Sequence, residues 1–343
     1  MKILILTDFS RGSYKIIGDL FAKNLSKFGT VTHLPTPQTE KSRNAINNDF
    51  PRSLVLHNTL GEGFVPLLDC YNIALPFHEW SKYPANWIGL LNKFDEAWVT
   101  TDHLQHILLQ SGLNVPAYKI SPPLDFVNIP VKSSYETTVQ PRFLFVGEPH
   151  FRKGHHLLMN GYMKAFPVEH DAKLTIKTSP NCEWESPRAD IELIKEDWNR
   201  DRLVEEYIRH DCFVSASLGE GLGLPIAEAI IAQLPVCANY WGGHQSMLTK
   251  KSFVEITHRE IIQPFTSDPK YYAENQKCAY SSPNAIKQAL LEFLTLNSNQ
   301  KQSMTKTAKE KFLGRFGSSV ANTHIRNRLV EIQKKITNEA LSR

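Results

Sequence analysis

Residues 219–230 read GEGLGLPIAEAI and follow, after Leu218, on the apolar run DCFVSAS at 211–217. Glycines stand at 219, 221 and 223, Pro225 follows, and two acids flank the turn, Glu220 and Glu228. A strand running into such a turn lets the backbone approach a ligand closely. Pro225 suits the first turn of a helix, where its missing N–H costs nothing. The helix start then offers free N–H groups and partial positive charge at the carboxyl edge of a sheet, where anions bind in open α/β folds. A carboxylate beside a phosphate is repelled unless it holds something else. Ionised Glu only accepts hydrogen bonds, so the vicinal hydroxyls of a sugar or ribose are suitable partners. Either acid alone would equally fit a helix N-terminus or a solvated loop. Their combination with three glycines points to a ligand that is both anion and polyol.

Cations for the anionic part lie upstream. VGEPHFRKG at 146–154 follows the apolar run RFLFVG, with Gly147 in the turn. It presents Arg152, whose fork suits bidentate phosphate contact, beside Lys153. As an isolated dipeptide this pair also suits any surface loop. Near the N-terminus, DFSRGSY at 8–14 places Gly12 in the turn after a first strand, and ALPFHEW at 74–80 ends another strand on His78. His57 ends the preceding strand similarly. A single histidine at a strand end is also a common structural residue. Trp80, Tyr83 and Trp87 could stack on an acceptor sugar or simply fill a core. No D-x-D, no H-E-x-x-H and no Cys/His cluster occurs. His103 and His106 lie one turn apart without a third ligand, so no metal site is expected.

The positioning elements alternate. Strands are predicted near 2–9, 31–34, 53–58, 72–79 and 96–101, with helices at 13–28, 84–93 and 102–111 between them. The last of these helices starts on Thr101–Asp102 and stops at Gly112. Four prolines and a polar tract in 121–141 break the pattern, predicting a linker over 126–141. Alternation restarts with strand 142–147, helix 154–166, strand 173–178 and a helix near 189–198. Strand 212–217, helix 225–233 and strand 235–240 follow, then helices at 283–296, 299–314 and 318–340. Strand–helix alternation of this kind predicts parallel sheets covered on both faces. The expected division is 1–125, the linker, 142–317, and a terminal helix over 318–343.

Length and composition agree with that division. A chain of 343 residues is long for one core and comfortable for two. Its 41% hydrophobic and 22% charged residues are those of a soluble globular protein. No apolar run reaches a membrane span, and Asp8 interrupts the short run of MKILILTDF, which reads as a buried strand rather than a signal peptide. Five scattered cysteines without CxxC spacing favour a reduced, cytoplasmic setting. The net charge of +4 is uneven: residues 301–343 carry ten Lys/Arg against three Asp/Glu. Such a tail suits the solvated face of terminal helices, and leaves open peripheral contact with an anionic membrane or nucleic acid. Of these, nucleic-acid binding is the least expected.

EGLGLPIAE resembles the E-x7-E signature of retaining family 4 glycosyltransferases. VGEPHFRKG resembles that family's strand, glycine loop and Arg/Lys-Gly segment. NKFDEAWVTTDHLQHILLQSGL at 92–113 and ANYWGGHQSML at 238–248 are similar to two further segments. The resemblance implies a GT-B fold, with two doubly wound Rossmann-like domains facing each other across a cleft. It implies transfer of a hexose from a nucleotide-diphosphate sugar to a carbohydrate or lipid-linked hydroxyl acceptor, with retention and without metal or cofactor. Carried over, Glu228 would accept the ribose hydroxyls and Glu220 those of the donor sugar. Backbone amides of Gly221, Leu222, Gly223 and Leu224 would meet the sugar or diphosphate, and Arg152 and Lys153 would neutralise the leaving diphosphate. Gly12 and Gly147 would border the phosphates, and His78 would lie near the donor sugar. Where many members place Arg directly after the strand-end glycine, this chain has Glu148. That departure keeps a second reading in view, a non-catalytic subunit that binds nucleotide-sugars.

Overall fold

The computed structural model describes residues 1–126, 129–136, 138–263 and 273–341, with side chains as far as 337. The chain forms two compact units. Unit one comprises the described residues of Met1–Asp125, Phe265–Gln276 and Leu313–Arg343, and unit two those of Phe126–Pro264 and Lys277–Phe312.

Unit one is built on six strands: β1 (Lys2–Thr7), β2 (Thr30–Pro35), β3 (Leu54–Asn58), β4 (Tyr71–Ala74), β5 (Glu96–Val99) and β6 (Ala117–Lys119). They pair in parallel in the order β2-β1-β3-β4-β5-β6. All of β3 and all but the first residue of β1 are buried, as continuous apolar strands must be when both faces are covered. Its helices are α1 (Gly12–Leu25), α2 (Glu40–Asp49), α3 (Ala85–Leu91) and α4 (Asp102–Gln110). Ile17, Phe21 and Leu25, four apart, form the buried stripe of α1. Thr101 caps α4 by accepting from the Leu104 N–H at 3.1 Å. Trp80, Tyr83 and Trp87 are buried, and Tyr83 and Trp87 belong to the core packed on Phe94 and Leu104.

Unit two holds β7 (Arg142–Val146), α5 (His155–Ala165), β8 (Lys173–Thr178), β9 (Ile191–Lys195), α6 (Arg200–Arg209) and β10 (Cys212–Ser215). After them come α7 (Leu224–Ile231), β11 (Val236–Ala238), α8 (His244–Met247) and β12 (Val254–Glu255). The sheet is again parallel, in the order β12-β11-β10-β7-β8-β9. An antiparallel ribbon of β13 (Arg259–Ile262) and β14 (Lys277–Tyr280) follows, then α9 (Pro283–Thr295), α10 (Ser298–Phe316) and α11 (Ser318–Leu341).

Four expectations change. The helix near 189–198 is strand β9 followed by α6, because Ile191 and Leu193 alternate with Glu192 and Ile194 along a sheet edge. Described residues of 126–141 pack into unit two: Lys132 N–H donates to Ala232 O at 2.8 Å and Tyr135 OH to Gln233 O at 3.1 Å. The return to unit one begins at Leu313, within α10, rather than at 318. Finally, the basic tail is not simply a solvated face. Lys301 and Arg328 are buried, Lys309 Nζ donates to Ile231 O at 3.0 Å, and Arg315 pairs with Asp102. Among the described residues no helix is long and apolar enough to cross a membrane.

Candidate functional site

In a doubly wound sheet the ligand crevice opens at the carboxyl ends of the strands where the order reverses. In unit two that switch lies between β7 and β10, which are neighbours although β8 and β9 intervene in sequence. The loop after β7 carries Gly147, Arg152 and Lys153, and the loop after β10 carries Glu220 and the glycines. Topology alone therefore brings the two motifs together.

Their backbones lock at close range. Leu218 N–H donates to Arg152 O at 2.7 Å. Gly154 has φ +69° and a Cβ there would collide with Ala216 O, so only glycine fits. From the next loop, Gly243 N–H donates to Glu220 O at 2.7 Å, and a Cβ on Gly243 would stand 2.7 Å from Gly221 O. Asn239 Nδ2 donates to Ser217 O at 2.6 Å, and His244 Nδ1 lies 3.1 Å from Asn239 Oδ1. Gly223, at φ +92°, turns the chain into α7 with Pro225 in the first turn. Leu222 and Leu224 are buried.

The side chains converge on Glu220. Lys153 Nζ is 2.6 Å from Oε1 and Arg152 Nη1 is 3.5 Å from Oε2, while Arg152 Nη1 also donates to Gly219 O at 2.9 Å. Ser217 Oγ stands 3.0 Å from Oε1. Burial pushes the Glu220 carboxyl upward, but Lys153 and Arg152 outweigh it and hold its pKa at about 2. Glu220 is thus ionised across the physiological range. The neighbouring His244 is shifted down by burial, which favours the neutral ring.

Glu228, on α7, meets a different set. Tyr207 OH donates to Oε2 at 2.7 Å, and Arg200 pairs with Oε1. Burial first, and then the Glu228 carboxylate, raise the Tyr207 hydroxyl far above its usual range, so it remains a donor. Neither Arg200 nor Tyr207 was marked by the sequence; an arginine just after the capping Asn199 was the one available hint. Glu148 is exposed, three residues before the Phe151–Lys153 turn, and its charge counteracts the burial that lowers the Lys177 pKa.

Gly12 and His78 belong to unit one. Gly12 opens α1 after β1, beside that sheet's own switch between β1 and β3, and a Cβ there would meet nothing within 4 Å. His78 is buried, its Nε2 bonded to Lys82 O and its ring edge-on to Tyr83 at 5.1 Å. His57 is also buried, bonded to Asn72 Oδ1 at 3.0 Å, and burial lowers its pKa to about 4. Two surface hollows, about 730 Å³ at Lys82–Asn86 and about 450 Å³ at His258–Arg259, are lined by none of the expected donor-site residues, while Tyr83 lines the first. Among the described residues no group of three or more His, Cys, Asp or Glu gathers as a metal-ligand set.

Residues 140–264 match the family model for glycosyl transferases group 1, less than half of the chain. No curated protein matches this sequence. Among solved structures, a glycosyltransferase from Rickettsia africae ESF-5 superposes with a TM-score of 0.70 at 13% identity, covering 98% of each chain. Anabaena HepE, solved with UDP and glucose, gives 0.69 at 12% identity over 96% of this chain and 100% of its own. A mutant of TarM from S. aureus, solved with Fondaparinux, alpha-GlcNAc-glycerol and UDP, gives 0.60 at 14% identity over 83% of this chain. This chain spans 57% of the length of TarM. Two parallel-sheet α/β units with these neighbours define a GT-B fold.

Proposed function

We propose that the chain is a glycosyltransferase that moves a hexose from a nucleotide-diphosphate sugar to a hydroxyl of a carbohydrate or glycolipid acceptor, with retention and without a metal ion. The observation that carries this reading is the buried constellation of Lys153 and Arg152 on Glu220 at the sheet's switch point. It sets two cations and an acceptor ionised at neutral pH beside a helix start, which is what a diphosphate joined to a polyol requires. Group 1 similarity over 140–264 and neighbours solved with UDP support the same reading.

In the reaction the acceptor oxygen bonds to the anomeric carbon as the bond from that carbon to the β-phosphate oxygen breaks. The acceptor proton passes to the departing phosphate, so no side-chain base is required. Arg152 and Lys153 stabilise the charge that grows on the leaving oxygen. Lys has three N–H donors and Arg five, so contact with a diphosphate does not require release of Glu220. Retention rests on the E-x7-E resemblance. Gly12, Gly147 and the 221–224 backbone would contact the donor, and His78 would approach its sugar. The basic C-terminal segment would allow a peripheral membrane position for a cytoplasmic enzyme, and nucleic acid is not a partner in this reading.

Nucleoside diphosphate release from UDP-, GDP- and ADP-hexoses, with mixed carbohydrate and lipid-linked acceptors, tests the assignment. Glu220→Gln should lower release by about a hundredfold or more while the protein stays folded, and chelator should leave wild-type release unchanged. Donor binding without release would favour the non-catalytic subunit, for which the exposed Glu148 speaks. A fully active Glu220→Gln variant would remove the site assignment.

A further inference from the structure

Glu228 is a buried acid served by two residues of a neighbouring helix. Arg200 and Tyr207 stand seven positions apart on α6, two helical turns, so both project from one side of that helix. Asn199 fixes the start of α6 by accepting from the Arg202 N–H at 2.9 Å. The Arg200 guanidinium also lies over the Phe126 ring, 5.2 Å from its centroid. Each carboxylate oxygen of Glu228 thus has one partner from α6. An ionised carboxylate offers about four lone-pair sites, so acceptor capacity remains.

The exposure of the partners separates this pair from a purely structural one. Other buried acids in this chain have enclosed arginines: the side chain of Arg188 beside Asp190 is 16% exposed, and that of Arg328 beside Glu96 is 9% exposed. Arg200 is 41% exposed although Glu228 is only 5% exposed. The pair opens to solvent on the arginine side, which neutralising a core charge does not need.

We propose that Arg200 and Tyr207 are positioning residues for Glu228, holding its carboxylate so that the remaining lone pairs meet the ribose hydroxyls of a nucleoside diphosphate. This rests on the donor-binding reading of Glu228 given above. Arg200 acts through the carboxylate, so its contribution depends on the hydroxyls being present.

The test is a binding cycle by calorimetry. The tightest binder among UDP, GDP and ADP is compared with its 2′,3′-dideoxy counterpart, for wild type, Arg200→Ala, Arg200→Lys and Tyr207→Phe. Wild type should prefer the ribose form by about tenfold. Arg200→Ala and Tyr207→Phe should bring the preference to within about twofold, and Arg200→Lys should restore part of it. Arg200 is half-exposed, so its alanine variant keeps the fold, which an unchanged melting temperature would verify. If Arg200→Ala keeps the wild-type ratio, or weakens both ligands equally, the positioning role is wrong and the ribose reading of Glu228 stands. If wild type itself shows no preference, the ribose reading is what fails.

Discussion

Each unit buries carboxylates, and Glu96 of unit one and Glu228 of unit two are held differently. In unit one, Glu96 on β5 is fully enclosed and saturated. Arg328 of α11 reaches both of its oxygens, Tyr71 OH donates at 2.7 Å and Trp98 Nε1 at 2.7 Å, while the guanidinium stacks 3.8 Å from the Tyr118 ring centroid. In unit two, Glu228 pairs with an arginine whose side chain is 41% exposed, Glu220 is held by the largely buried Lys153 and Arg152, and glycines at positive φ shape the neighbouring turns. The first arrangement is a joint between a terminal helix and a sheet. The second leaves acceptor capacity at a strand edge. Burial of an acid alone says little; at Glu228 it is the accessibility of the arginine that departs from the structural pairs.

The contrast breaks most visibly at the joint. Glu96→Ala or Arg328→Ala leaves a buried charge uncompensated and should cost about 3–5 kcal/mol, measured by urea unfolding. Replacing both by apolar residues should recover most of that loss. A smaller effect is expected where backbone meets backbone. Gly243→Ala places a methyl against the 221–222 peptide and should cost about 1–3 kcal/mol together with nucleotide binding. Gly12→Ala meets open space at a backbone conformation that alanine accepts, and should leave the unfolding midpoint within about 1 kcal/mol of wild type. Loss of donor binding in that stable variant would place a ligand at Gly12. An effect of a different kind concerns acid. Glu220 sits at about 2 against its ordinary 4.5, so its ionisation stabilises the fold above 4.5 and that contribution drains away as pH falls toward 2. Urea midpoints of wild type and Glu220→Gln should therefore converge between those limits.

The legible parts of the fold were those with a strong physical period. β1, β3 and β10 are buried on both faces and read as apolar runs. α2 is illegible because it has no fully buried residue, only Ile46 packing partly on the core, and its clearest signal is the Thr39–Ser42 capping box. β9 reads as helix because Ile191 and Ile194 stand three apart, a spacing that also fits one helical face, and Ile194 breaks the strict alternation. In the candidate site, glycines and neighbouring acids and cations mark 152, 153 and 220 in recognisable turns and 228 early in the helix that follows. Arg200 and Tyr207 reach Glu228 across 28 and 21 residues of sequence, and only the packing of α6 against α7 brings them there. Asn239 and His244 depend in the same way on strand order.

The Gly154–Ala216 contact and the Leu218–Arg152 hydrogen bond join two stretches some sixty residues apart into one rigid piece. An engineer grafting the glycine-rich loop onto another scaffold would have to move the 150–154 turn and the 239–243 turn along with it. Carried alone, that loop would lose both the floor it rests on and the charges it presents.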